Sequence, residues 1–103
     1  LDLPKPPTCI IYPDDFSALG GINAIRERGL SIPDDISIVG YDGIDTANFC
    51  IPRLTTVRQD AAELAARGVQ TLLQAIHYKT TPVYETIDFE LVERESVSFV
   101  ETR

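Results

Sequence analysis

The chain has 103 residues, of which 44% are hydrophobic, and it carries a formal net charge of −7. No apolar stretch approaches the roughly 20 residues of a membrane-spanning helix, and a sequence pI of about 4.5 argues against direct binding of these residues to nucleic-acid phosphates. This length is enough for one modest domain, or part of one. Two cysteines without a C-x-x-C spacing favour a reducing, cytoplasmic setting.

The first half of the chain predicts a strand, a helix and a second strand. Residues 8–12 are a continuous apolar run suited to a buried strand, and residues 36–39 form another. Between them a helix is expected from Asp15, as its amino-terminal cap, through Arg28, with Gly29 supplying the left-handed residue just past its end. A strand-helix-strand unit of this length implies parallel strands joined by a right-handed crossover. The apolar helix positions follow helical spacing: Ala18, Leu19, Ile22 and Ile25.

The second half predicts a further strand, a long helix and a last strand. Residues 54–57 are a third short strand, and Asp60 opens a capping-box-like start for a helix over residues 61–77. Residues 79–84 are expected to form a loop, and residues 86–94 alternate apolar with polar side chains as a half-buried strand does. The helix carries one apolar stripe: Ala61, Leu64, Ala65, Val69, Leu72, Leu73 and Ile76.

Polar residues follow the predicted strands where open α/β sheets bind their ligands. Asp14 follows the first strand, Asp42 the second and Gln59 the third, and parallel strands bring their carboxyl ends to one edge of the sheet. For Asp42 a ligand contact is favoured over a plain turn residue between Gly40 and Gly43. Gln59 remains open between binding a ligand and satisfying the loop backbone. Neither role involves catalysis.

The remaining reactive residues favour structural roles. The adjacent Asp14 and Asp15 are interpreted as a solvated neighbour and a helix cap rather than as a metal-binding or phospho-accepting pair. His77, the single histidine, is expected to stabilise the carboxyl-terminal dipole of its helix. Cys9 and Cys50 are expected to be buried and inert. No enzyme activity, metal or cofactor is therefore expected.

Five groups of residues, taken together, are highly specific for one protein family. They are Pro7-Thr8, residues 15–20, residues 29–42, residues 52–60 with their Leu-Thr-Thr-Val core, and residues 91–96. In this order and register, the chain resembles the effector-binding domain of the LacI/GalR family of bacterial transcription regulators.

The resemblance implies a type I periplasmic-binding-protein-like fold, an α/β architecture in which a parallel sheet of the three-layer type is flanked by helices. It implies that residues 1–57 and about 89–103 build the carboxyl-terminal lobe. Residues from about 61 to 85 would be a helix and linker from the amino-terminal lobe. The DNA-binding head of the family would be absent from this sequence.

Carried over residue by residue, Asp42 matches the family's effector-binding aspartate, Asp14 a position usually held by asparagine, and Gln59 a cleft position near the lobe crossing. The carboxylate of Asp14 is a departure that removes two hydrogen-bond donors and adds acceptor capacity. The resemblance also implies a dimer contact on four residues: Leu19, Asn23, Phe49 and Cys50. On physical grounds alone, the last two would also fit a core.

The sequence therefore predicts an effector-sensing module that binds a sugar or a similar small polar metabolite between two lobes. It would form a homodimer, contact no membrane, and reach DNA only through the missing head. A sugar-binding protein of a transport system, which shares the fold, is the alternative. A third class, an acidic metal-dependent phosphotransfer domain, rests on Asp14 and Asp15 alone.

Overall fold

The computed structural model describes residues 1–79 and 84–100 and contains four strands and two α-helices in those ranges. The part of the predicted loop at residues 80–83 lies outside the described residues. In chain order the elements are β1 (Cys9–Ile11), α1 (Asp15–Glu27), β2 (Ser37–Asp42), a 3-10 helix (Asp45–Asn48), β3 (Thr55–Gln59), α2 (Ala61–Tyr78) and β4 (Phe89–Val92).

The strands form one sheet in the order β1-β2-β3-β4. The pairs β1–β2 and β2–β3 are parallel, with Ile11 opposite Val39 and Val39 opposite Thr55. The predicted parallel α/β sheet is therefore confirmed. The chain divides into two compact units, one of Leu1–Arg58 with the segment from Leu91, the other of Gln59–Glu90.

The core of the first unit lies between α1 and the sheet. Helical spacing turns Ala18, Ile22 and Ile25 of α1 inward, as predicted, and these side chains are buried with Ile38 of β2 and Leu54 before β3. Leu19, the fourth predicted apolar position of α1, is half-buried and packs against this cluster. The helix ends at Glu27, one residue earlier than expected, with Arg28 as its carboxyl-terminal cap. Gly29 supplies the predicted left-handed residue, with a φ of 74°.

The prediction that β1 is a buried strand is wrong. Ile10 packs against the core, whereas Cys9 is exposed and Ile11 is 76% exposed. Successive side chains of a strand point to opposite faces, and in the described chain only the face of Ile10 is covered. The predicted burial of Cys9 is wrong for the same reason.

The segment after β4 binds across the amino ends of β2 and β3. Ser96 is fully buried; its Oγ donates to the Ile38 carbonyl at 2.6 Å and accepts from the Thr55 amide at 2.9 Å. The Ile38 amide in turn donates to the Ser96 carbonyl at 2.9 Å, and Arg94 Nη1 donates to the Leu54 carbonyl at 2.9 Å. This segment therefore ties two strands together at the edge opposite their carboxyl ends.

The second unit contains α2. The Asp60 side chain accepts from the Glu63 amide at 3.0 Å, so the predicted cap is confirmed, and His77 lies in the last turn as predicted. The helix ends at Tyr78, one residue later than expected. None of its residues is buried, and its apolar stripe is exposed at Leu64, Val69, Leu72, Leu73 and Ile76. Within the described ranges, no helix is long and apolar enough to cross a membrane.

The prediction of a half-buried strand over residues 86–94 is wrong in extent and in burial. Only Phe89–Val92 forms β4, and Phe89 and Leu91, which were expected to face inward, are exposed. Strand geometry ends before Arg94, whose amide donates to the Thr55 side-chain hydroxyl at 3.0 Å. Hydrogen bonding to a side chain thus replaces the regular strand pattern there.

Candidate functional site

The carboxyl ends of β1, β2 and β3 meet at one edge of the sheet. Ile11, Val39 and Thr55 share a row of the parallel register. Asp14, Asp42 and Arg58 each follow their row residue by three positions, and Asp42 is paired with Arg58 across β2 and β3. The structure therefore places Asp14 just after β1 and Asp42 at the end of β2, both at the edge where open α/β sheets bind ligands.

Asp14, rather than Asp15, is the amino-terminal cap of α1. Its backbone is extended, and its Oδ1 accepts from the Ser17 amide at 2.7 Å. The prediction that Asp15 caps the helix and that Asp14 is its solvated neighbour is wrong. Because the cap occupies one carboxylate oxygen, the other oxygen of Asp14 keeps its acceptor capacity at the edge of the sheet.

Asp15 is fully buried and accepts three hydrogen bonds. Its Oδ2 accepts from the amides of Gly43 and Ile44, both at 2.9 Å, and its Oδ1 accepts from the Thr56 hydroxyl at 2.6 Å. The carboxylate thus joins the start of α1 to the turn after β2 and to β3. Its donors lie 28 to 41 positions away in the chain, so no local pattern in the sequence indicated these hydrogen bonds.

Two glycines give this carboxylate and the turn the space they occupy. A Cβ on Gly40 would collide with Asp15 Oδ1 and would lie 2.8 Å from Leu54 Cδ2. A Cβ on Gly43 would lie 2.7 Å from Arg58 Cγ, and Gly43 has a φ of 78°. Both positions therefore require glycine, for space at the first and for space and backbone conformation at the second.

Asp42 takes a backbone conformation that is uncommon for a residue with a side chain. Its φ is 115°, outside the regions that most non-glycine residues occupy. Such residues persist where the surroundings hold them, and they concentrate at functional sites. Asp42 is the last residue of β2, and Gly43 after it also has a positive φ, of 78°.

Gln59, the third predicted ligand residue, is the half-buried last residue of β3. It is grouped with the second compact unit. Asp14 and Asp42 lie at one edge of the first unit, and the role of Gln59 stays a prediction.

The four predicted dimer-contact residues differ in exposure. Leu19 and Cys50 are half-buried against the core cluster, while Asn23 is exposed. Phe49 is 77% exposed, which excludes a core role for it in the described chain. The Cys50 thiol donates to the Pro52 carbonyl at 3.2 Å, so this cysteine is partly rather than fully buried. A surface cavity of about 230 Å³ lies beside these residues and is lined by Asn48–Arg53 and Glu95.

Residues 1–79 and 84–100 contain no cluster of three or more histidine, cysteine, aspartate or glutamate side chains that could hold a metal ion. Asp15, one of the two residues behind the phosphotransfer alternative, is enclosed by its own hydrogen bonds. The carboxylates at the sheet edge can accept hydrogen bonds from a bound ligand.

Comparison with known proteins matches this architecture to one family. The model of the periplasmic binding protein-like domain matches residues 1–97. The chain is 45% identical over 100 residues to the transcriptional repressor PurR of Actinobacillus pleuropneumoniae, covering 94% of this chain and 30% of PurR. It is 38% identical over 98 residues to the probable repressor ExuR of Bacillus subtilis, covering 94% and 29% respectively. The chain thus spans less than a third of these relatives.

Solved structures give the same result. The lac repressor dimer bound to operator and the anti-inducer ONPF has a TM-score of 0.81 and 36% identity, covering 88% of this chain and 32% of that one. A LacI family regulator, CCPA of Weissella paramesenteroides with bound sucrose, has a TM-score of 0.77 and 36% identity, covering 87% and 32%. The chain belongs to the periplasmic binding protein-like domain family, and the relatives and solved structures named above, to which it is similar, are transcriptional repressors and LacI-type regulators.

Proposed function

We propose that this chain is part of the effector-sensing module of a DNA-binding transcriptional regulator, in which Asp14 and Asp42 bind a small, hydroxyl-rich ligand. The observation that carries the proposal is the common placement of the two carboxylates at the sheet edge formed by the carboxyl ends of β1 and β2. Ligands of open α/β sheets bind at this edge.

The chemistry of the two carboxylates favours a sugar. Ionised carboxylates only accept hydrogen bonds, and a sugar presents many hydroxyl donors. Asp14 keeps one oxygen for this purpose after capping α1. Gln59 is proposed as a third contact, since its amide both donates and accepts. The sucrose bound to the regulator from Weissella paramesenteroides supports this ligand class.

We propose that residues 1–57 and about 89–103 belong to one lobe, and residues from about 61 to 85 to the other. The division of the chain into compact units at Arg58 and at Leu91 supports this assignment. So does the exposed apolar stripe of α2, since a large apolar surface on a soluble protein usually meets a partner or another part of the chain. The DNA-binding head would then belong to a longer protein.

We propose dimerisation through Leu19, Asn23, Phe49 and Cys50. The support is the exposed ring of Phe49 beside the cavity of about 230 Å³, because large aromatic side chains are enriched at interfaces between subunits. The similar lac repressor was solved as a dimer, which supports dimerisation as such.

The transport alternative predicts sugar binding without a DNA response. The named relatives PurR and ExuR are transcriptional repressors, which favours the regulator and a non-enzymatic role.

The test uses the full-length protein that contains this chain. DNA is selected from a random library, and binding to the selected DNA is then titrated with sucrose, lactose, D-glucose, D-galactose and D-ribose. We expect one DNA motif to be enriched and at least one sugar to change its affinity. Sugar binding without enrichment of a DNA motif would favour the transport protein. The absence of both DNA binding and sugar binding would refute the proposal.

A further inference from the structure

We propose that Asp15 is a positioning residue that fixes the spacing between the two ligand-binding carboxylates, Asp14 and Asp42. The inference rests on the proposed function and adds a residue that would not touch the ligand. Asp15 is buried, so its effect would pass through the backbone on either side of it.

Asp15 is linked directly to the backbone beside each of the two carboxylates. It follows Asp14 directly, and its Oδ2 accepts from the amides of Gly43 and Ile44, which come directly after Asp42. The Thr56 hydroxyl binds its Oδ1 at 2.6 Å and anchors the carboxylate to β3. A shift of Asp15 would therefore move the start of α1 and the end of β2 relative to each other.

The backbone of Asp42 explains why an anchor is needed there. A φ of 115° is unfavourable for aspartate, and the chain holds it only if its surroundings offset the strain. The amides that follow Asp42 are fixed by hydrogen bonds to a charged acceptor, which are about twice as strong as neutral ones. Without them the turn can relax to negative φ, and the Asp42 side chain would change direction.

Two substitutions of Asp15 separate geometry from charge. Asp15→Ala removes all three hydrogen bonds. Asp15→Asn keeps one acceptor oxygen for Gly43 and Ile44, and its amide can donate to the Thr56 hydroxyl after that hydroxyl rotates. We therefore expect the asparagine variant to rescue most of what alanine loses.

A second pair of variants acts on the backbone donor and leaves Asp15 intact. Ile44 has a φ of −66°, which proline adopts without strain. Ile44→Pro deletes one amide donor and places its Cδ against Asp15 Oδ2, which pushes the carboxylate away from the Gly43 amide. Ile44→Ala also loses packing but keeps the amide. If Asp15→Ala fails to fold, the comparison of Ile44→Pro with Ile44→Ala still tests whether hydrogen bonding to Asp15 positions Asp42.

The experiment combines amide hydrogen exchange with sucrose titration in the full-length protein. For Asp15→Ala we expect exchange of residues 43 and 44 to rise roughly tenfold or more, with residues 37–39 of β2 unchanged. For Ile44→Pro we expect the same rise at residue 43, which Ile44→Ala should not show. Sucrose affinity should fall at least about tenfold in Asp15→Ala and Ile44→Pro, and less than about threefold in Asp15→Asn and Ile44→Ala.

The outcomes separate this inference from the proposed function. Exchange that rises equally in residues 37–39, or not at all, would overturn the positioning role. Sucrose affinity that stays unchanged although residues 43 and 44 exchange faster would also overturn the positioning role. A wild-type protein that binds neither sucrose nor any sugar of the panel would refute the proposed function. Amide hydrogen exchange would then still decide whether Asp15 holds the backbone after Asp42 in place.

Discussion

Gly40→Ala should destabilise the protein although it adds only one methyl group. Gly40 lies in β2, and its φ is not in the left-handed region, so alanine can adopt the backbone conformation. The added Cβ would collide with Asp15 Oδ1, and it would lie 3.3 Å from Asp15 Cγ and 2.8 Å from Leu54 Cδ2. The expected loss of stability therefore has a steric cause, because the added methyl group displaces the buried Asp15 carboxylate.

Two effects add to the expected loss in the free energy of unfolding. Overpacking of a filled core costs about 1–3 kcal/mol. Displacing the Asp15 carboxylate weakens buried hydrogen bonds, which adds about 1–3 kcal/mol. We expect a total of about 2–6 kcal/mol, a large share of the roughly 5–15 kcal/mol that is typical of whole domains.

Gly20→Ala is the matched control. Gly20 lies in α1, and a Cβ there would meet nothing within 4 Å. Alanine in a helix interior is favoured over glycine by about 0.5–1 kcal/mol, so this variant should be slightly more stable than the wild type. Urea denaturation of both variants provides the comparison. Equal midpoints for Gly40→Ala and Gly20→Ala would refute the account of the buried carboxylate.

Three further predictions concern other parts of the first unit. Ser96→Ala should cost about 1–3 kcal/mol in urea denaturation, because it leaves a buried amide without its acceptor; no loss would contradict this. The hydrogen bond and charge of Arg28 hold the pKa of the Asp2 carboxyl below its ordinary value. This pair therefore stabilises the fold at neutral pH and loses its effect as pH falls through the lowered pKa; NMR titration should show the pKa rising in Arg28→Gln, and an unchanged value would contradict the pairing. In sedimentation velocity, Phe49→Glu should dissociate the proposed dimer and Phe16→Glu, at a similarly exposed phenylalanine, should not; equal behaviour would remove Phe49 from the contact.

Local signals in the sequence predicted those parts of the fold that depend on neighbouring residues. The start of α2 follows from Asp60, because capping involves an amide only three positions away. The end of α1 follows from Gly29, which supplies the positive φ. The placement of Asp14 and Asp42 at one edge follows from the strand-helix-strand order, since parallel strands end on the same side.

Contacts between distant segments were beyond the reach of the sequence pattern. Asp14 and Asp15 are chemically identical. Asp15 turns inward to accept from the distant Gly43, Ile44 and Thr56, while Asp14 caps the helix. Ser96 is similar, because its partners lie 41 and 58 positions earlier in the chain.

The burial of apolar strand residues was also predicted wrongly where it depends on whether another part of the structure covers that face of the strand. Ile11 and Phe89 carry strong strand propensity, yet both are exposed in the described chain. Alternation predicts which side chains share a face of a strand, and a second layer of structure determines whether that face is buried.

The most direct test of the central claim is calorimetric titration of the full-length protein with the same five sugars, comparing wild type, Asp42→Asn and Asp34→Asn. Asp34 is an exposed aspartate in the turn before β2, so its substitution makes the same chemical change away from the proposed site. We predict that at least one sugar binds the wild type and Asp34→Asn equally. Asp42→Asn should bind it about 10- to 100-fold more weakly, as expected for the loss of a charge-assisted hydrogen bond of about 1.5–3 kcal/mol. Equal affinity in all three proteins, or no binding of any sugar to the wild type, would contradict the claim.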